Sequence, residues 1–119
     1  MKPDALRGHL DALILAVLEQ GPRHGYAVVE AVRVRSGGVL DLPTGTLYPA
    51  LRRLERAGYL RSNWSTVNGR DRRTYRLTAA GKRFLTAERS NWREFATVIE
   101  TVLRPLTETP GPARSSQAG

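Results

Sequence analysis

The sequence predicts a mainly α-helical fold with one small β-hairpin, and three observations predict it. Apolar residues recur at helical spacing in three short segments. Two alternating segments flank Asn68-Gly69. A long helical stripe then runs from Thr78 towards Arg104.

The first helix rests on Leu10, Leu13, Ile14, Val17 and Leu18, which follow an i, i+3, i+4, i+7, i+8 pattern, and Gly21-Pro22 stops it. The second segment spans about His24 to Ser36. Gly25, Val28, Val29 and Val32 share one face at helical spacing, although the valines would also suit a strand. Gly37-Gly38 ends it, and Val39 to Leu42 reads as a short strand.

The third helix runs from about Pro43 to Ala57, with Leu47, Leu51 and Leu54 as its buried stripe and Gly58 as its stop. Pro49 lies early in it, where a missing N–H costs little. The hairpin pairs Tyr59–Ser65 with Thr74–Leu77 about Asn68-Gly69. That pairing places Leu60, Trp64, Tyr75 and Leu77 on one face, which makes Trp64 a hairpin-core residue. Thr78 is the N-cap of the last helix, and Pro105 ends it. About 26 helical residues reach roughly 39 Å, more than a small domain needs to cover itself. Trp92, Phe95, Ala96, Ile99, Val102 and Leu103 form the apolar stripe of that helix. From Thr107 onward the chain is rich in Pro, Gly, Ser and Thr and has no periodicity, so a disordered tail is expected.

This order is that of a winged helix-turn-helix followed by a long C-terminal dimerisation helix. The expected domains are a DNA-binding unit over 1–77, a dimerisation helix over 78–104 and a tail over 105–119. The chain has 119 residues, one domain's worth, and a domain this small often completes its core with a second subunit.

Charge supplies the functional signal. The net charge is +8, carried by 17 Arg and 2 Lys. Between Arg52 and Arg76 stand eight Arg against Glu55 and Asp71 alone, so most of the net charge lies in one window. A clustered basic field attracts nucleic acid or anionic lipid. Lipid fits poorly, because the basic residues fall on a helix, a turn and strands, not on one amphipathic face. Turned at 100° per residue, the third helix presents Thr44, Gly45, Tyr48, Pro49, Arg52 and Arg56 away from its leucine stripe. An outward Tyr beside two Arg suits a DNA groove, where arginine offers bidentate donors to guanine or phosphate. Arg70, Arg72 and Arg73 lie in or beside the hairpin loop and suit phosphate contact or minor-groove insertion; the alternative is a solvated loop in which Asp71 pairs with one of them.

Other functions find little support. There is no Cys, so disulfides and thiolate metal sites are excluded, and His9 and His24 stand apart from any acid cluster. No cofactor or metal is expected. There is no phosphate-cradling glycine loop and no nucleophile–base–acid set, which argues against an enzyme. The N-terminus lacks a signal-peptide pattern, and the longest apolar run, Ala12 to Leu18, is too short to span a bilayer, so a cytoplasmic location is expected. A winged helix that binds protein instead of DNA remains the alternative, opposed by the outward arginines.

The run Gly45-Thr46-Leu47-Tyr48-Pro49-Ala50-Leu51-Arg52-Arg53-Leu54-Glu55 with Gly58 resembles the recognition helix of PadR-family transcriptional regulators. His24-Gly25-Tyr26 is similar to that family's second-helix opening. Gly69-Arg70, Arg73, Tyr75, Leu77-Thr78 and Gly81 are similar to its wing and the entry to its last helix. The likeness covers about residues 8 to 104 and points to the short subfamily with a single C-terminal helix. Pro43 departs from it, since many relatives carry a Ser or Asn cap there. The resemblance implies a homodimeric repressor on a palindromic operator, released by a small-molecule effector. It implies a DNA-contacting set of Tyr26, Thr44, Gly45, Thr46, Tyr48, Pro49, Arg52, Arg56, Arg70, Arg72 and Arg73. Trp92 stands where multidrug-sensing members stack a planar aromatic ligand across the dimer pore. Plain packing in the dimer interface is the other reading of Trp92 and its stripe.

Overall fold

The computed structural model describes residues 8–107. The elements are α1 (Leu10–Val17), β1 (Arg23–His24), α2 (Gly25–Arg35), α3 (Thr44–Arg56), β2 (Leu60–Val67), β3 (Arg70–Leu77) and α4 (Ala79–Leu103). The chain forms two compact units, Met1–Arg89 and Ser90–Gly119.

In the first unit, α1, α2 and α3 pack on one another, and α3 packs on β2. The apolar stripes meet in one core. Ile14, Leu15 and Leu18 come from α1 and the residue after it, Val28 from α2, and Leu47, Leu51 and Leu54 from α3; Leu85 of α4 closes the cluster. Each fully buried leucine contributes about 2 kcal/mol through area removed from water.

The helix ends follow from local chemistry. His24 is extended (ψ 167°), and its Nδ1 accepts the Ala27 N–H at 3.3 Å, which caps α2. Pro43 (φ −66°, ψ 144°) precedes α3 without a side-chain cap, and its carbonyl accepts the Thr46 and Leu47 N–H groups, both at 3.0 Å. Gly58 (φ +86°) ends α3. There the Tyr59 N–H reaches the Leu54 carbonyl and the Gly58 N–H reaches that of Glu55, both at 3.0 Å, the two bonds of a Schellman closure. Pro49 is inside the helix, at its sixth position and past the first four donors. It therefore deprives the Gly45 carbonyl of its i+4 donor, and the low cost expected for an early proline does not hold.

The sheet has three strands in the order β1-β3-β2, all antiparallel. Asn68 (φ +52°) and Gly69 (φ +76°) both adopt left-handed backbone, as a two-residue type I′ turn requires. Leu60 faces Leu77, Ser62 faces Tyr75 and Trp64 faces Arg73. The third strand was not anticipated: Arg23 and His24 pair with Tyr75 and Thr74. Conversely, Val39–Leu42 is not a strand. Its amides turn back to Ser36, with Val39 N–H to the carbonyl at 3.3 Å and Leu40 N–H to the hydroxyl at 2.9 Å, while Leu42 drops into the core. Trp64 is not hairpin core either; it is 66 % exposed. The hairpin extends beyond the helices, and only its Leu60–Leu77 end is covered.

Thr78 joins α4 to the end of α3. Its hydroxyl donates to the Gly58 carbonyl at 2.6 Å and accepts the Gly81 N–H at 3.0 Å, while its own N–H reaches the Tyr59 carbonyl at 3.1 Å. Tyr59 and Phe84 stack at 4.4 Å, and Arg89 forks onto Glu19 at 2.7 and 2.8 Å. That pair holds the Glu19 carboxyl below its usual range, chiefly through the Arg89 hydrogen bond.

In the second unit, α4 continues to Leu103 and carries an apolar stripe. Trp92 and Phe95 are about half exposed, their rings 5.8 Å apart, and Val102 and Leu103 are more exposed still. Ile99 is 38 % exposed and Ala96 is half-buried. Most of the tail expected to be disordered, 108–119, lies outside the described residues.

Candidate nucleic-acid interface

Helices α2 and α3 form the helix-turn-helix, and β2–β3 lies beside it as a wing. The leucine stripe of α3 points into the core, so the opposite face is exposed: Thr44, Gly45, Thr46, Tyr48, Pro49, Arg52 and Arg56 all reach solvent. Tyr26, in the first turn of α2, is also exposed.

An open cleft of about 610 Å³ lies between α3 and the wing. Its walls are His24, Gly25 and Tyr26 from the start of α2, then Tyr48, Arg52, Glu55 and Arg56 from α3. Trp64, Asp71, Arg72, Arg73 and Tyr75 complete it from the wing. Six residues expected at the DNA surface therefore meet here: Tyr26, Tyr48, Arg52, Arg56, Arg72 and Arg73. Thr44, Gly45, Thr46, Pro49 and Arg70 are exposed but do not line the cleft.

The arginines divide into two groups. Arg53 is turned to Asp11 of α1, and Arg73 lies 3.7 Å from Glu55. Arg76 donates to the Asn63 amide oxygen at 3.3 Å. Arg52, Arg56 and Arg70 have no carboxylate within 4.0 Å among the described residues, so their charge faces outward uncompensated. Arg72 is half-buried; its Nη1 lies 3.5 Å from His24 Nδ1, and its Nε is buried without a partner. Burial, then the nearby Arg72 charge, push the His24 imidazole below its usual value, which keeps Nδ1 an acceptor for the α2 cap.

Six cleft residues escaped the sequence reading as site residues: His24, Gly25, Glu55, Trp64, Asp71 and Tyr75. Alternation along β2 put Trp64 on the face of Leu60, but nothing local tells where the helices cease to cover that face. Glu55 and His24 enter through contacts across the chain. Among the described residues no group of three or more His, Cys, Asp or Glu is placed to hold a metal ion, and no helix is long and apolar enough to cross a membrane.

The model of the transcriptional regulator PadR-like family matches residues 14–87, which takes in the helix-turn-helix and the whole wing. The chain belongs to this family. Solved PadR-family structures share its fold. A PadR family transcription regulator from Clostridium difficile is 34 % identical with a TM-score of 0.71, over 81 % of this chain and 99 % of that one. A transcriptional regulator from Clostridium thermocellum is 29 % identical with a TM-score of 0.79, over 85 % and 99 %. A transcriptional regulator of Mycobacterium tuberculosis is 43 % identical over 74 residues, covering 62 % of this chain and 56 % of its own length. The PadR chain described here is thus a transcriptional regulator, and its family and structural neighbours are regulators, not enzymes.

Proposed function

We propose that this PadR protein is a homodimeric repressor that binds a palindromic DNA operator. The observation that carries the proposal is the α3–wing cleft, where Tyr48, Arg52 and Arg56 of an exposed helix face meet Arg72 and Arg73 of the wing. In a helix-turn-helix reader the second helix enters the major groove and the wing follows the flanking backbone. Arg52 and Tyr48 are suited to base edges; Arg56, Arg70, Arg72 and Arg73 to phosphate.

One such unit covers one half-site, and two-fold pairing sets two recognition helices about 34–36 Å apart. The exposed stripe of α4, with Trp92, Phe95, Ile99, Val102 and Leu103, is the surface suited to that pairing. A planar aromatic effector entering beside Trp92 would spread the two helices and lower operator affinity.

Fluorescence anisotropy against duplex DNA over a salt series tests the reading. Four phosphate-contacting cations per protomer in a dimer give a log–log slope of about −7. No retention of duplex at low salt, with salt-insensitive capture of a protein partner instead, would make the wing a protein-binding module. The effector arm is read by quenching of Trp92 (with Trp64 replaced by Phe) together with DNA release.

A further inference from the structure

Glu55 is the one carboxylate of α3, yet it stands in a cleft suited to a polyanion. Its side chain is turned to the wing. Ser62 Oγ donates to its Oε2 at 2.6 Å, and Arg73 Nη2 lies 3.7 Å from its Oε1. Arg73 Nε in turn donates to Ser62 Oγ at 2.8 Å, and the Arg73 Cζ sits 5.8 Å from the centre of the exposed Trp64 ring. One guanidinium is therefore held on two edges and one face, and its Nη1 takes part in none of these contacts.

We propose that Glu55 is a positioning residue for DNA recognition: it fixes Arg73 and Trp64 as one rigid edge of the wing, presented to the sugar–phosphate backbone beside α3. The inference rests on the DNA-binding reading above. An arginine on an open strand samples many rotamers and loses them on contact, so a partner that fixes it beforehand removes part of that loss. Against this stands the repulsion between Glu55 and phosphate. Salt screens that repulsion over about 8 Å, and the Arg73 charge beside the carboxylate offsets it. Pre-organisation is then the larger effect, and this fixes the sign of a substitution. Charge alone says that neutralising Glu55 tightens binding; positioning says that it weakens it.

Anisotropy with two duplexes decides, one enriched from a random pool by the wild-type protein and one of arbitrary sequence. Glu55→Gln is expected to weaken binding to the enriched duplex about 3- to 10-fold, although it removes a negative charge. In an Arg73→Ala background the same change leaves affinity equal or higher. Without DNA, the indole N–H resonance of Trp64, assigned with Trp64→Phe, shifts in Glu55→Gln while the thermal melt is retained. Ser62→Ala, which keeps the carboxylate, loses affinity in the same direction. Equal or tighter binding by folded Glu55→Gln overturns the proposal, as does a loss of the same size in the Arg73→Ala background. If Glu55→Gln fails to fold, unchanged affinity in Ser62→Ala overturns it. A wild-type protein that enriches no duplex removes the DNA-binding reading and this inference together, whereas the other outcomes leave that reading standing.

Discussion

Gly25 and Tyr48 touch across the helix-turn-helix. A Cβ placed on Gly25 would lie 2.7 Å from both Cε1 and the hydroxyl of Tyr48, so the phenol rests on the bare backbone at the start of α2. The two motifs that carry the family likeness, His24-Gly25-Tyr26 and Gly45-Thr46-Leu47-Tyr48, are thus one contact. Gly25→Ala is expected to push the ring aside. A methyl at a helical glycine is itself neutral to favourable, so stability shifts by no more than about 1 kcal/mol. DNA affinity falls nonetheless, and in a Tyr48→Ala background the Gly25 effect vanishes. A urea melt paired with anisotropy separates the two; unchanged affinity in Gly25→Ala would remove Tyr48 from the interface.

Arg52 and Arg70 are expected to fail in different ways. Arg52→Ala should cost about 1–3 kcal/mol on an enriched duplex and little on arbitrary DNA, the mark of base contact. Arg70→Ala should weaken both alike and reduce the salt slope by about 1 per protomer. Titrations of each variant on both duplexes at four salt concentrations check this. Equal losses for Arg52→Ala on the two would reassign it to the backbone.

Much of this was legible beforehand, and what was not has a common cause. The Leu47, Leu51, Leu54 stripe, the Asn68-Gly69 turn and the Thr78 cap are local patterns, and each stands where its pattern places it. The two-residue strand β1 has no period to read. The apolar residues of Val39–Leu42 imitate a strand, yet Leu42 packs as a single plug. Glu55 and His24 take their roles from partners on other elements, and no spacing rule reaches that far. Trp64 stands opposite Arg73 as the turn requires, but its exposure depends on where the helices stop covering the hairpin.

Ile99→Asp is expected to abolish the dimer. It would bury an unpaired charge in the pairing surface proposed for α4. Light scattering should report a monomer, with operator binding lost and the helical circular dichroism largely kept. A dimer that survives would take this stripe out of the interface.

Acid is expected to loosen the start of α2. The folded His24 imidazole titrates below its usual value of about 6.5, chiefly through burial and then through Arg72. The unfolded chain therefore takes up a proton first. Stability is full above about pH 6.5 and is lost as pH falls through the lowered folded value. His24→Asn, which keeps a capping acceptor, should flatten that limb of the stability–pH curve. An identical limb in the variant would assign it to other groups, among them Glu19, whose contribution is lost only at lower pH.

Gly81→Ala should be the most disruptive of these substitutions. A Cβ there would sit 2.2 Å from the Tyr59 carbonyl oxygen and 2.8 Å from Leu77 Cδ1, and backbone cannot swing aside as a side chain can. A loss of about 2–3 kcal/mol is expected in urea unfolding. A wild-type midpoint would mean that α4 is free to shift off Tyr59.

The three bonds of Thr78 also bear on folding fidelity. A hairpin that mispairs by one residue turns every side chain to the wrong face, and short polar strands are prone to such slips. Here the slip would also draw Thr78 away from Gly58 and Tyr59, about twenty residues back in the chain, and cost the two bonds that seat the start of α4 on the end of α3, while its local cap on the Gly81 N–H would remain. The start of the long helix can seat on Gly58 and Tyr59 only when the wing is in register. The register of the hairpin is thereby checked where the following helix docks, and a misregistered molecule forgoes the seat of Thr78 on the end of α3.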